Sequence, residues 1–195
     1  TPSGPTAVDI GIRNGKVAAL GDLGGAATAA TLDATGLHVL PGVIDTQVHF
    51  REPGMEHKED IAHGSKAAVM GGVTAFFEMP NTSPLTLGKA DLEDKLARSA
   101  GRAWCDHAYF VGGSEDNVAD LAELEHLPGC AGVKVFMGSS TGSLLADKDE
   151  LLARILANGR RRVAVYAEDE DRLKERQHIA KEAAPPRAHP VWRDE

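Results

Sequence analysis

Two hydrophobic rhythms divide this chain. From Ala7 to Leu20 apolar and polar residues alternate on both sides of Asn14-Gly15, the period of a strand with one face covered. Asn-Gly accepts positive φ at both turn centres, so the pattern predicts a two-residue hairpin. Gly21 to Ala30 is rich in glycine and alanine and reads as a surface loop. Leu32 to Leu40 is extended again, broken at Thr35-Gly36, and predicts another hairpin or a bend. Residues 1–40 are therefore expected to form a small β-hairpin unit, part of a β-sandwich domain, with a structural role.

From Pro41 onward short apolar runs alternate with helical stretches. The predicted strands are Val43–Val48, Val73–Glu78, Ala108–Val111, Gly132–Phe136 and Val163–Ala167. Helices are predicted over Asp60–Met70, stopped by Gly71-Gly72, and over Lys89–Ala100, stopped by Gly101. Glu115–Leu127 follows a cap at Ser114 and stops at Pro128-Gly129. Lys148–Asn158 has Asp147 and Glu150 in capping-box spacing and Gly159 as its stop. Asp169–Ala184 ends at Pro185-Pro186. Strands separated by helices imply parallel pairing with right-handed crossovers. An open doubly wound sheet and a (β/α)8 barrel both fit. No G-x-G-x-x-G follows an early strand to favour the first. If residues 41–195 belong to a barrel, they supply five of its eight units, and something else must complete it.

Composition narrows the partners. The 195 residues carry a formal charge of −8, which argues against nucleic acid or an anionic membrane as the main partner. No apolar run reaches the ~18 residues of a membrane span. Cys105 and Cys130 lack metal-type spacing, so free thiols in the cytoplasm are expected.

Candidate chemistry collects around Pro41-Gly42-Val43-Ile44-Asp45-Thr46-Gln47-Val48-His49-Phe50-Arg51-Glu52-Pro53-Gly54. Gln47 and His49 are two apart, so a strand aims both at one face, and Arg51 follows as the chain leaves the strand. A strand that delivers such groups at its C-terminal end suits the mouth of an α/β barrel. This stretch, with Glu56-His57-Lys58-Glu59-Asp60, resembles the first barrel strand and loop of dihydroorotases in the amidohydrolase superfamily. The likeness continues through Gly71-Gly72-Val73-Thr74, Met79-Pro80-Asn81-Thr82, Gly132 to Gly142 and Ala167-Glu168-Asp169-Glu170. The Met-Pro-Asn-Thr segment favours dihydroorotase over the related hydantoinases and allantoinases.

The resemblance implies an α/β fold: a (β/α)8 TIM-type barrel, first five βα units only, preceded by the small β unit. It implies metal-dependent, reversible hydrolysis of the cyclic amide of dihydroorotate in pyrimidine biosynthesis, with one or two zinc ions activating water. His49 matches the second histidine of the first strand, and Lys134 matches a lysine that bridges two metals once carboxylated. Arg51 and Asn81 match the groups that hold the substrate carboxylate. Gln47 stands where the first histidine is expected, and Tyr166 where the fifth-strand histidine is expected. The sixth-strand histidine and the catalytic aspartate of the eighth strand would lie beyond Glu195, so no catalytic residue is assigned within the chain. Catalytic zinc takes about three protein ligands, and only His49 and Lys134 remain of the set. The alternative reading is a non-catalytic relative or truncated fragment that has lost metal and serves as a structural or regulatory partner. Either way, a homo-oligomer or a complex that completes the barrel is expected.

The residues also admit plainer readings. Lys134 could snorkel out of an apolar strand, Arg51 could be a surface ion-pair partner, and Asn81 a turn residue. Gly138 to Gly142 reads as a loop shaping the site, and His57, His63 and His178 as solvent-facing or packing residues. Glu168 to Asp171 reads as a helix N-terminus.

Overall fold

The computed structural model describes residues 4–138, 144–182, 186 and 189–193. Two compact units divide at Leu40 and Pro41. In the first, β1 (Asp9–Arg13) and β2 (Lys16–Gly21) pair antiparallel across Asn14 and Gly15, whose φ values of 53° and 73° are those the Asn-Gly turn requires. Residues 32–40 form a turn and no strand. Asp33 accepts from the Thr35 amide at 2.9 Å and bends the chain, so the bend holds and the second hairpin does not.

The second unit is built on a parallel sheet in the order β3 (Val43–Val48), β4 (Val73–Glu78), β5 (Asp106–Gly112), β6 (Cys130–Phe136), β7 (Val163–Tyr166). Each predicted strand is present, with ends that differ by a residue or two. Pleating sorts their side chains into two layers. Phe76, Tyr109, Val111, Val133 and Val135 face the helices, where Ile61, Leu92 and Ile155 complete the main core. Phe77, Ala108, Phe110, Ala131 and Ala164 form a smaller cluster on the opposite face. By the same alternation His49, Lys134 and Tyr166 belong to that opposite face, and Glu78 belongs to the helix side.

The helices between these strands are α1 (Ile61–Met70), α2 (Lys89–Ser99), α3 (Leu121–Leu124) and α4 (Asp149–Asn158). After β7 come α5 (Glu170–Glu175), α6 (Gln177–Glu182) and α7 (His189–Trp192). Asp60 caps α1 by accepting from the His63 amide at 2.8 Å.

Three helix expectations are corrected. Residues 115–120 are turns because the Asn117 side chain claims the backbone: its Nδ2 donates to the Leu87 and Gly112 carbonyls, each at 2.7 Å, and its Oδ1 accepts from the Ser114 amide at 3.0 Å. At α4 the N-cap position is Lys148, one residue past Asp147, and no capping box forms. The stretch predicted as one helix from Asp169 to Ala184 breaks at Arg176, while Trp192 Nε1 takes the Leu173 carbonyl of α5 at 3.0 Å. Asp169 does cap α5 by accepting from the Arg172 amide at 2.9 Å, as a helix N-terminus should. Both cysteines are free.

Candidate functional site

Adjacent loops at the C-terminal ends of β3 and β4 carry the first part of the site. The Met79 amide donates to the Val48 carbonyl at 3.0 Å, which carries the β3–β4 pairing one step past the strand ends. The Ser83 amide donates to the Pro53 carbonyl at 2.9 Å, holding the two loops together further out. A Cβ at Gly54, where φ is +89°, would stand 2.0 Å from the Ser83 carbonyl oxygen, so only glycine fits that approach.

Within this frame His49 Nδ1 meets Asn81 Oδ1 at 2.9 Å. An amide oxygen only accepts, so Nδ1 carries the proton and Nε2 keeps its lone pair. Burial holds the His49 pKa below its usual value. The bond to Asn81 opposes that shift, and the positive charges of Arg51, Lys134 and Lys95 add to it. His49 is therefore a neutral imidazole at pH 7, with one nitrogen available to a ligand. Asn81 is a partner in the site as well as a turn residue. Arg51 is half-buried with φ of +65°, a strained value for a residue with a Cβ. No carboxylate pairs with its guanidinium among the described residues.

Lys134 lies on β6, with β4 and β5 between it and the His49 strand, and on the same face as His49. It is 1% exposed, which rules out snorkelling. Its Nζ sits 5.0 Å from the Phe136 ring centre and 5.6 Å from that of Tyr166. Burial lowers its pKa, with no counter-charge to oppose it. Tyr166 is not free to act as a ligand, since its hydroxyl accepts from Arg193 Nη1 at 3.0 Å. Arg193 also pairs with Glu168. Gln47 is exposed at the end of β3. The loop from Ser139 to Gly142, read as shaping the site, lies outside the described residues. His63 is an exposed partner of Asp60 at 2.7 Å, and exposed His178 meets the Glu175 carbonyl at 3.1 Å, so both stand apart from the site.

Comparison with known proteins decides the family. The amidohydrolase family model matches residues 38–183, most of the chain. The chain belongs to the amidohydrolase family.

Among curated relatives, allantoinase of Deinococcus radiodurans is 39% identical over 141 residues, covering 72% of this chain and 31% of the relative. Allantoinase of Escherichia coli K12 is 40% identical over 134 residues, 68% of this chain and 29% of the relative. Among solved structures, L-hydantoinase (dihydropyrimidinase) from Arthrobacter aurescens superposes with a TM-score of 0.85 at 28% identity, over 96% of this chain and 43% of that one. Dihydropyrimidinase from Brevibacillus agri gives 0.80 at 27%, over 99% and 44%. The chain thus spans about a third of the length of the curated relatives it matches. The five strands are part of an amidohydrolase barrel, and the relatives matched are cyclic amidohydrolases.

The family's metal can be tested against the donors in place. Among the described residues no three His, Cys, Asp or Glu side chains converge. Lys134 Nζ rests over two rings, Tyr166 Oη is engaged by Arg193, and the amide of Gln47 is a neutral, weak donor. A zinc pair does not fit this set.

Sequence reasoning missed the buried layer beneath the site. Glu78 and Lys95 are 0% and 1% exposed and 3.0 Å apart, and Arg102 grips the buried carboxylate of Glu52 at 2.6 and 3.1 Å. A signal was present. Lys95 falls between Leu92 and Ser99 on the inward stripe of α2, where a lysine needs a partner.

Proposed function

We propose that this chain recognises a cyclic amide and has lost the zinc-pair arrangement that would open the ring. The reading is carried by one observation: the Asn81 oxygen takes the Nδ1 proton of His49 beside Arg51, which has no carboxylate partner among the described residues, while exposed Gln47 and the Arg193-bound hydroxyl of Tyr166 stand where histidine ligands were expected. Arg51 presents a planar fork suited to a carboxylate or a ureide carbonyl. Asn81 has used its oxygen on His49, so its Nδ2 protons remain for a ligand carbonyl, and His49 Nε2 can accept from a ring N–H. Dihydroorotate, whose ring carries a carboxylate, is the ligand we favour. Allantoin is the leading rival, because the allantoinases are similar in sequence. The chain would act in the cytoplasm as a partner that completes, or is completed by, further barrel strands.

A second reading keeps the enzyme: a zinc-dependent dihydroorotase that tolerates Gln47 and Tyr166. The ordered run of strand-end motifs favours it. Metal content of the purified protein, calorimetric titration with dihydroorotate, allantoin and hydantoin, and ring-opening assays with added zinc separate the two. The first reading expects less than one equivalent of metal and binding without turnover. Two zinc ions with turnover of dihydroorotate would replace it with the second, and binding of none of the three rings would overturn both.

A further inference from the structure

Behind the sheet, on the side away from the ligand, helix α2 reaches the same loop that carries Asn81. Its inward stripe is Leu92, Lys95 and Ser99. The lysine stem lies in the core, and its Nζ stands 5.6 Å from the Tyr109 ring centre, 3.0 Å from Glu78 Oε2 and 3.1 Å from the Met79 carbonyl, to which it donates. The approach to Glu78 is close but off the ideal hydrogen-bonding direction, and among the described residues neither carboxylate oxygen has a donor of good geometry, the Lys95 ammonium and the Arg51 amide being near enough to favour the charged carboxylate. The directed bond of Lys95 is thus the one to Met79. Burial pushes Glu78 up and Lys95 down, each toward its neutral form, and each is opposed by the other's charge.

Met79 is the first residue after β4. Its amide is tied to β3 at Val48 and its carbonyl to α2 at Lys95, so both polar groups of one peptide residue are fixed. Two residues on, Asn81 reaches His49. The intervening Pro80 has a restricted φ, and its carbonyl accepts from the Thr82 and Thr86 amides at 2.9 and 3.0 Å. The loop therefore has little freedom once Met79 is placed.

We propose that Lys95 is a positioning residue: from behind the sheet it fixes the Met79 carbonyl and, through it, the Asn81–His49 pair that faces the ligand. Glu78 serves Lys95 as counter-charge, so that a cation can be kept in the core for this purpose. The inference takes from the proposed function only that His49 and Asn81 face the ligand. Its test needs neither a bound ring nor turnover.

The test compares Glu78→Gln with the double variant Glu78→Gln/Lys95→Met. The first removes the counter-charge and keeps the donor to Met79. The second removes both charges, so no unpaired ion is left in the core to unfold the protein. Nitrogen-15 NMR of the His49 ring and of the Asn81 side-chain amide reports the tautomer and the bond, and thermal melting reports stability separately. The expected result is a single Nδ1–H tautomer in the parent and in Glu78→Gln, and loss of that fixed tautomer with averaging of the Asn81 amide signals in the double variant, while the double variant melts no lower than Glu78→Gln, which keeps an unpaired ammonium in the core. A fixed tautomer in the double variant would overturn the proposal. Loss of the tautomer already in Glu78→Gln would also overturn it, since the donor to Met79 would then not be what matters.

Discussion

Replacing Lys134 by methionine should raise the stability of the protein while removing a group from its ligand site. The parent side chain is 1% exposed, and its ammonium meets two aromatic rings, at 5.0 and 5.6 Å, with no carboxylate or hydrogen-bond acceptor among the described residues. Taking an unpaired ammonium out of water costs several kcal/mol even after relaxation. Two desolvated cation–π contacts return about 0.5–2 kcal/mol each. The balance leaves Lys134 costing roughly 1–3 kcal/mol. Methionine is similar in length and fills the same space beside Phe136, and swaps of that kind usually cost less than about 1.5 kcal/mol. A net gain of about 1–2 kcal/mol is expected, a rise of roughly 2–8 °C in melting temperature at this chain length.

The dependence on pH tests the cause. Burial lowers the Lys134 pKa in the folded state, so the unfolded chain binds more protons, and the parent's stability rises as pH climbs from the folded pKa toward the ordinary lysine value. Methionine has no such slope. Thermal melts followed by circular dichroism at several values between pH 7 and 10 should show the advantage of Lys134→Met shrinking as pH rises. A variant that melts below the parent at pH 7, or an advantage that does not change with pH, would refute the reasoning and show that the ammonium has a favourable partner.

Three further outcomes follow from the packing around the site. Gly54→Ala must hold a side chain at φ +89° with its Cβ 2.0 Å from the Ser83 oxygen; strain and overlap together predict a loss of about 2–5 kcal/mol by urea denaturation, with the His49–Asn81 signals disturbed. Glu52→Gln weakens the grip on Arg102 and on the Ile61 amide at 3.0 Å, and should cost roughly 1–3 kcal/mol in the same measurement. Among the described strands β3 and β7 each have one neighbour, and Val43, Ile44 and Val165 are exposed there. Sedimentation of the 20.6 kDa chain should therefore reveal association that grows with concentration, and a monomer throughout the range would contradict this.

The strands of the second unit were legible because each is a short run rich in apolar residues and bounded by turn residues, most clearly β6, which is buried along its whole length. The Asn14-Gly15 turn was legible for a local reason, the positive φ of both residues. Helices were less secure where a side chain competes for the backbone. Nothing in the periodicity of Glu115–Leu127 announces that Asn117 will bond the Leu87 and Gly112 carbonyls, since Leu87 is 30 residues away. The site divides the same way. Gln47, His49 and Arg51 come from one strand and its exit and can be read together, whereas Asn81 entered the site by resemblance alone and its bond to His49, across 32 residues, was not foreseen.

The placement of buried charge explains what this chain has retained. Buried ions are costly, and the described part of the second unit has Glu52, Glu78, Lys95, Glu125 and Lys134 in its interior. Four of these five hold loops: Glu52 secures the exit of β3 through Arg102 and the start of α1, Glu78 with Lys95 secures the exit of β4, and Glu125 takes the Arg160 and Arg161 amides ahead of β7. Hydrophobic residues of similar volume could replace such pairs with little loss of stability, so stability alone does not account for them. Orientation does, because a charged partner fixes a backbone carbonyl or amide where an apolar side chain would only fill space. Two of the loops so fixed, after β3 and β4, are those that carry Arg51, Asn81 and His49. The positions of Gln47 and Tyr166, by contrast, offer exposure or an engaged phenol where a metal would need ligands. The proposed binding of a ring without a zinc pair would draw on the first set of interactions and would not need the second.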